Sequence, residues 1–294
     1  MSKEPYIYYC ADDYGMTEES CRRIEDCRRN GCLNKVSVFP NSELPDLKQR
    51  LTALGLSCSI HLNLVEGKAL SEPSEIPLLA DAEGRFRHSF FGLLCLSLTK
   101  PRQLKNQIYR ELDRQLRRAQ TFLPDGAPIM LDTHQHTGMI PGIFSTLLKL
   151  VRDRNLDVRY IRIPAEPLMP FITAPSAYMT YTPVNLIKQW VLKCCNLFNK
   201  RKLRASGIPT AYFFGIVLSG DMETKVVQKI LPKYIKLARK KEMNIEVLFH
   251  PGFIEQGEPL FDPHKTSFHG FYLSQGRKKE YDALHRLGTG IPNR

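Results

Sequence analysis

Five short stretches of the chain carry residues able to hold a cation or move a proton. Asp12 and Asp13 stand side by side, with Gly15 and Thr17 just beyond. Adjacent carboxylates repel unless a cation lies between them; a turn leading into a helix N-cap is the plainer reading. His61 lies in the apolar run 58–62, and alone it reads as a core histidine. Asp132, His134 and His136 follow the run 129–131. On an extended segment His134 and His136 would share one side, an arrangement that metals exploit; a hydrogen-bonded loop pair is the alternative. Arg162 lies near the end of the run 158–163, and His250 follows the run 245–249, where His250-Pro251-Gly252 alone reads as a turn. His88, His264, His269 and His285 have no comparable setting.

The elements around these residues explain how they would meet. Seven short runs rich in β-formers, at 6–10, 36–39, 58–62, 129–131, 158–163, 212–218 and 245–249, punctuate the chain. Helix-like stretches lie between them: 20–29 after the candidate N-cap Thr17, 103–122 with Leu104, Ile108, Leu112, Leu116 and Ala119 at helical spacing, 143–153, and 224–241. There is no internal repeat. Alternating strands and helices imply a parallel sheet with helical crossovers. The expected fold is α/β, a distorted TIM-like (β/α) barrel of about seven parallel strands, in one domain spanning 1–294. Residues 166–210, which fit the alternation worst, form an insertion or lid. Active sites of such folds lie at the carboxyl ends of strands, where each candidate residue falls.

Composition is that of a globular chain. It has 294 residues, 43% of them hydrophobic and 24% charged, which excludes collagen-like, coiled-coil and largely disordered classes. The eight cysteines include no CxxC pair and no zinc-ribbon spacing, and the N-terminus has no signal-peptide pattern. Free thiols in a reducing cytosol are expected. The formal net charge of +12 favours anionic partners. Lys188, Lys193, Lys200, Arg201, Lys202 and Arg204 gather around Trp190, Val191, Leu192, Leu197 and Phe198, and Phe90, Phe91, Leu93 and Leu94 offer a second apolar surface. A solvated charged face over ordinary core residues is the plainer reading. The sharper one is a basic amphipathic helix on an anionic membrane, with the protein cytoplasmic but peripheral to the membrane.

Taken together, the motifs resemble the YdjC-like carbohydrate deacetylases, which include the chitooligosaccharide deacetylases. The family's Asn-Ala-Asp-Asp-Phe-Gly reads here Cys10-Ala11-Asp12-Asp13-Tyr14-Gly15. A strand ending in His reads Ile60-His61-Leu62-Asn63-Leu64. Asp-Ser-His-x-His reads Asp132-Thr133-His134-Gln135-His136, and the closing strand into His-Pro reads Phe249-His250-Pro251. The resemblance implies a divalent metal, Mg or Zn, and removal of acetyl groups from N-acetylated sugars. It implies Asp13, His61 and His134 as metal ligands, Asp12 as general base and His250 as general acid. Arg162, His136, Asp132 and Tyr14 would line the pocket or support the ligands. Cys10 and Tyr14 depart from the family pattern, and Gly138 stands where a further His is often found.

Other functions are weaker fits. A non-haem Fe(II) oxygenase shares the two-His-one-carboxylate set but uses a β-sandwich barrel. Other metal-dependent amidohydrolases place His-x-His after the first strand. A nucleic-acid-binding module driven by charge would show an RNP, zinc-finger or helix-turn-helix signature, and none is present. The expected partners are therefore the sugar, an anionic membrane surface or lipid-linked sugar, and a second copy of the chain as a homodimer, with no nucleic acid.

Overall fold

The computed structural model describes residues 4–175 and 181–288. Seven strands, β1 (Ile7–Tyr14), β2 (Lys35–Val38), β3 (Ser57–Leu62), β4 (Ile129–Thr133), β5 (Val158–Ile161), β6 (Tyr212–Phe214) and β7 (Ile245–Phe249), form one all-parallel sheet in the order β5-β4-β3-β2-β1-β7-β6. The sheet curls into a distorted TIM-like barrel. Its end strands approach without pairing as strands: the Ile161 N–H donates to the carbonyl of Pro209, just before β6, at 3.0 Å.

Ten helices connect and cover the strands: α1 (Glu18–Asn30), α2 (Leu47–Leu54), α3 (Phe90–Thr99), α4 (Pro101–Phe122), α5 (Pro141–Asp153), α6 (Met169–Ile172), α7 (Pro183–Ser206), α8 (Thr224–Lys241), α9 (Thr266–Tyr272) and α10 (Gln275–Gly288) among the described residues. Thr17 caps α1 through a reciprocal capping box with Ser20, as expected from its place before an amphipathic run. The stripe Leu104, Ile108, Leu112, Leu116 and Ala119 of α4 is buried. Strands covered on both faces become near-continuous apolar runs, which is why they were legible.

The barrel interior is not wholly apolar. Lys35 of β2 lies 3.2 Å from Glu246 of β7, which also accepts from Tyr160 of β5 and from Arg162. These buried charges stack from the barrel floor towards the carboxyl-terminal mouth, with Glu246 shared between the two cations.

Two expectations need correction. The run 212–218 is a strand only to Phe214, because Gly215 turns the chain with φ 152°. The apolar residues of 187–198 are not ordinary core: Leu192 is buried, but Trp190, Leu197 and Phe198 point outward from α7. No described helix is long and apolar enough to cross a membrane.

Candidate metal centre and active site

The site begins with a break in β1. Asp13 adopts a left-handed backbone, φ 70°, where the pairing of β1 with β2 shifts register. Successive strand residues ordinarily face opposite ways; this break lets both carboxylates turn to the same side. Asp12 Oδ2 lies 3.8 Å and Asp13 Oδ1 3.7 Å from His61 Nε2. Gly15 completes the turn with φ 98°, and a Cβ there would come within 3.0 Å of Ser42.

The same break sends Tyr14 elsewhere. Its hydroxyl donates to Glu25 Oε1 at 2.9 Å, under α1, so Tyr14 does not line the site. His136 also departs from expectation. β4 ends at Thr133, and residues 134–139 form a short 3₁₀ segment with Gln135 and His136 in the left-handed region. The two imidazoles therefore do not share one side of an extended segment. His134 turns to Asp13 and His61, whereas His136 meets the Phe213 ring edge-on at 5.9 Å. Burial and the neighbouring Arg162 push His136 down to about 3, and its Nδ1 is buried without a partner. Gly138 is accounted for by its neighbour: a Cβ there would strike the Thr133 methyl at 2.7 Å.

Asp13, His61 and His134 offer three donor atoms to one point. His134 Nδ1 lies 3.3 Å from both Asp13 Oδ1 and His61 Nε2. Donors around a tetrahedral cation with bonds of about 2.05 Å stand about 3.3 Å apart. Asp13 Oδ1 is buried and makes no hydrogen bond, while Asp13 Oδ2 accepts from Arg277. The far nitrogen of each imidazole is committed to a carboxylate: His61 Nδ1 donates to Asp132 Oδ1 at 2.5 Å, and His134 Nε2 to Glu66 Oε2 at 3.0 Å. Carboxylates behind ligating histidines fix the ring and its tautomer. Burial opposes charge on His134, yet Asp13 and Glu66 outweigh it and raise its pKa to about 9. Asp12, His61 and Asp132 also lie close together. There, however, Arg162 occupies both oxygens of Asp12 at 2.7 and 2.8 Å, and His61 and Ser37 occupy those of Asp132.

Burial works against ionising Asp12, but the Arg162 guanidinium and His61 outweigh it and hold its carboxyl well below the usual range. Arg162 is fixed in turn by Glu246 and by contacts with Cys10 and Ser37. His250, half-buried at the end of β7, has its backbone N–H and Nδ1 on Glu280 of α10 at 2.5 and 3.3 Å. Phe39 packs edge-on against the rings of His61 and His134 at 5.0 and 4.9 Å, forming an apolar wall.

The sequence profile of the YdjC-like protein family matches residues 6–287. The chain belongs to that family. Among curated relatives, this YdjC-like chain is 27% identical over 173 residues to a carbohydrate deacetylase of Thermoanaerobacter pseudethanolicus, covering 56% of this chain and 64% of that one. It is 24% identical over 251 residues to a chitooligosaccharide deacetylase of Proteus mirabilis, covering 83% and 80%. The match spans less than two thirds of the first carbohydrate deacetylases it resembles. Among solved structures it shares a fold with a putative cellobiose-phosphate cleavage protein of Enterococcus faecalis, with a TM-score of 0.67, 17% identity, and coverage of 98% and 94%.

Sequence reasoning missed Glu66, Arg277, Glu246, Glu280 and Phe39. Only Glu66 carried a faint signal, an acidic residue amid the apolar run after His61. Glu246 and Phe39 lie within runs read only as strands, and Arg277 and Glu280 lie on α10, away from the recognisable blocks.

Proposed function

We propose that this YdjC-like protein removes the acetyl group from an N-acetylated sugar, with a divalent cation held by Asp13, His61 and His134. The observation that carries the reading is the unpartnered Asp13 Oδ1 facing two imidazoles whose outer nitrogens are tied to carboxylates. The names of the relatives supply the substrate class. Two imidazoles and one carboxylate suit zinc-like ions better than magnesium, which prefers oxygen ligands.

When bound, the cation would supply Lewis-acid activation of water and of the acetyl carbonyl. The protein's own groups then move the protons. Asp12, ionised and clamped by Arg162, faces the centre and accepts the proton of the attacking water. His250, oriented by Glu280, delivers a proton to the departing amine nitrogen; without it an amide expels a poor leaving group. His136, two residues beyond the ligand His134, would help to position the sugar. Phe39 keeps bulk water from the ligands. Eight free cysteines suit a reducing compartment for this chemistry.

The test is acetate release from N-acetylglucosamine oligomers by protein stripped of metal and reloaded with Zn²⁺, Co²⁺, Mn²⁺ or Mg²⁺. Release restored by one of these ions supports the reading. Equal release by stripped and reloaded protein, or none under any loading, sinks it.

A further inference from the structure

Helix α7 is polar along much of its buried side, although Leu192 and Cys195 are buried there too. Its buried face carries Asn185, Gln189 and Asn199, whose amides donate to the carbonyls of Ser219 at 2.9 Å, Glu166 at 2.7 Å and Met139 at 2.7 Å. Its outward face carries Val184, Ile187, Trp190, Leu197 and Phe198 at the spacing of one helical stripe, with Trp190 67% and Phe198 70% exposed. A surface helix of a soluble protein has the opposite polarity. Nearby α3 adds Phe91 and Leu98 to the surface. Both α3 and α7 pack against the 134–139 segment that carries His134 and His136. Every exposed large apolar side chain among the described residues, except Tyr6, belongs to a connection leaving the carboxyl end of β3, β5 or β7.

Charge follows the same two connections. Residues 84–110 hold six Lys or Arg and no Asp or Glu, and so do residues 167–220. The rest of the chain carries equal numbers of each sign, so the whole +12 excess resides in these two segments. Apolar stripes flanked by cations, with acids excluded, match the interface of an anionic bilayer: the stripe enters the acyl boundary while the cations meet the head groups.

We infer that α3 and α7 form a docking face for an anionic lipid bilayer beside the mouth of the site. The substrate it fits is an N-acetylated sugar carried on a lipid, a deduction that rests on the deacetylase reading above. Docking holds the mouth against the head-group layer, where such a sugar projects.

Trp190 is the chain's only tryptophan and reports directly on the contact. Vesicles of phosphatidylcholine alone are compared with vesicles of phosphatidylcholine and phosphatidylglycerol. The expected result is a blue shift of Trp190 emission and co-sedimentation with the anionic vesicles only, weakened by salt. Leu197→Glu/Phe198→Glu retains Trp190 and loses vesicle affinity by about tenfold or more. Lys200→Glu/Arg201→Glu loses on the order of fivefold per cation removed. Both variants keep the wild-type circular dichroism spectrum and the wild-type rate on soluble N-acetylglucosamine oligomers. Both lose the wild-type's faster acetate release from a vesicle-borne N-acetylglucosaminyl lipid. Wild-type protein that stays in the supernatant, or a self-associated form that shifts Trp190 without lipid, overturns the docking face. Vesicle binding without acetate release from any substrate defeats the deacetylase reading alone, and acetate release without vesicle binding defeats the docking face alone.

Discussion

Arg277 and Asp13, 264 positions apart, meet inside the mouth of the barrel, where the guanidinium takes one carboxylate oxygen and leaves the other free towards His61 and His134. Arg277 is itself buried and anchored by the Gly252 carbonyl at 2.9 Å, so it fixes which way Asp13 faces. Arg277→Gln should weaken metal binding about 10- to 100-fold, with kcat/KM falling in parallel. It should also destabilise the metal-free protein by about 3–5 kcal/mol, since a buried carboxylate loses its partner. Metal titration calorimetry and urea unfolding measure the two effects, and unchanged metal affinity would show that Asp13 is held by something else.

His61 depends on Asp132 in the same way. His61→Ala should abolish metal retention and turnover together. Asp132→Asn leaves every ligand in place but removes the carboxylate that orients the ring, so metal affinity should fall about 10- to 100-fold while the fold persists. Inductively coupled plasma analysis after dialysis against a weak chelator separates the cases. An Asp132→Asn protein that keeps full metal content would refute the orienting role.

The part of this architecture that local chemistry writes was legible. The apolar runs of seven strands, the cap at Thr17 and the stripe of α4 follow from burial and spacing over a few residues. The convergence of Asp12, Asp13, His61 and His134 was legible too, because parallel strands bring their carboxyl ends to one rim. What the chain did not reveal required knowing a backbone angle or a distant partner. The left-handed Asp13 reverses the facing of Tyr14, and the left-handed pair at 135–136 separates His134 from His136; alternation along an extended strand predicts neither. Arg277 and Glu280 lie on α10, whose local sequence reads as an ordinary charged helix.

In the proposed reaction His250 protonates the leaving amine, so its loss should hurt most where the leaving group needs a proton. His250→Gln should lower kcat on an N-acetylated sugar about 100- to 10,000-fold with little change in KM. The same variant should lose far less on an activated aryl acetate, whose phenolate leaves unaided. Glu280→Gln, which frees the ring to turn, should show the same pattern at smaller size. An equal loss on both substrates would mean that His250 binds substrate rather than donating a proton.

Glu166 supplies a prediction about pH away from the metal. It lies at the start of the β5–β6 connection, fully buried, and accepts from the backbone N–H groups of Gly215, Ile216 and Val217. Burial pushes its carboxyl up to about 7 against the pull of those amides. In the unfolded chain it ionises with an ordinary glutamate pKa, so between about 4.5 and 7 the folded state holds a proton that the unfolded state has released. Its stabilising contribution is therefore complete below the lower value and is lost as pH rises through the upper one, by roughly 3 kcal/mol in all. Glu166→Gln cannot titrate and should lack this slope, apart from a constant cost for the amide hydrogen bond it loses. Urea unfolding of both proteins at pH 5 and pH 8 isolates the effect, because the other titrating groups cancel in the difference. The wild-type advantage should shrink at the higher pH; a difference that stays constant or grows would place the carboxylate in its ionised form throughout, solvated by the three amides.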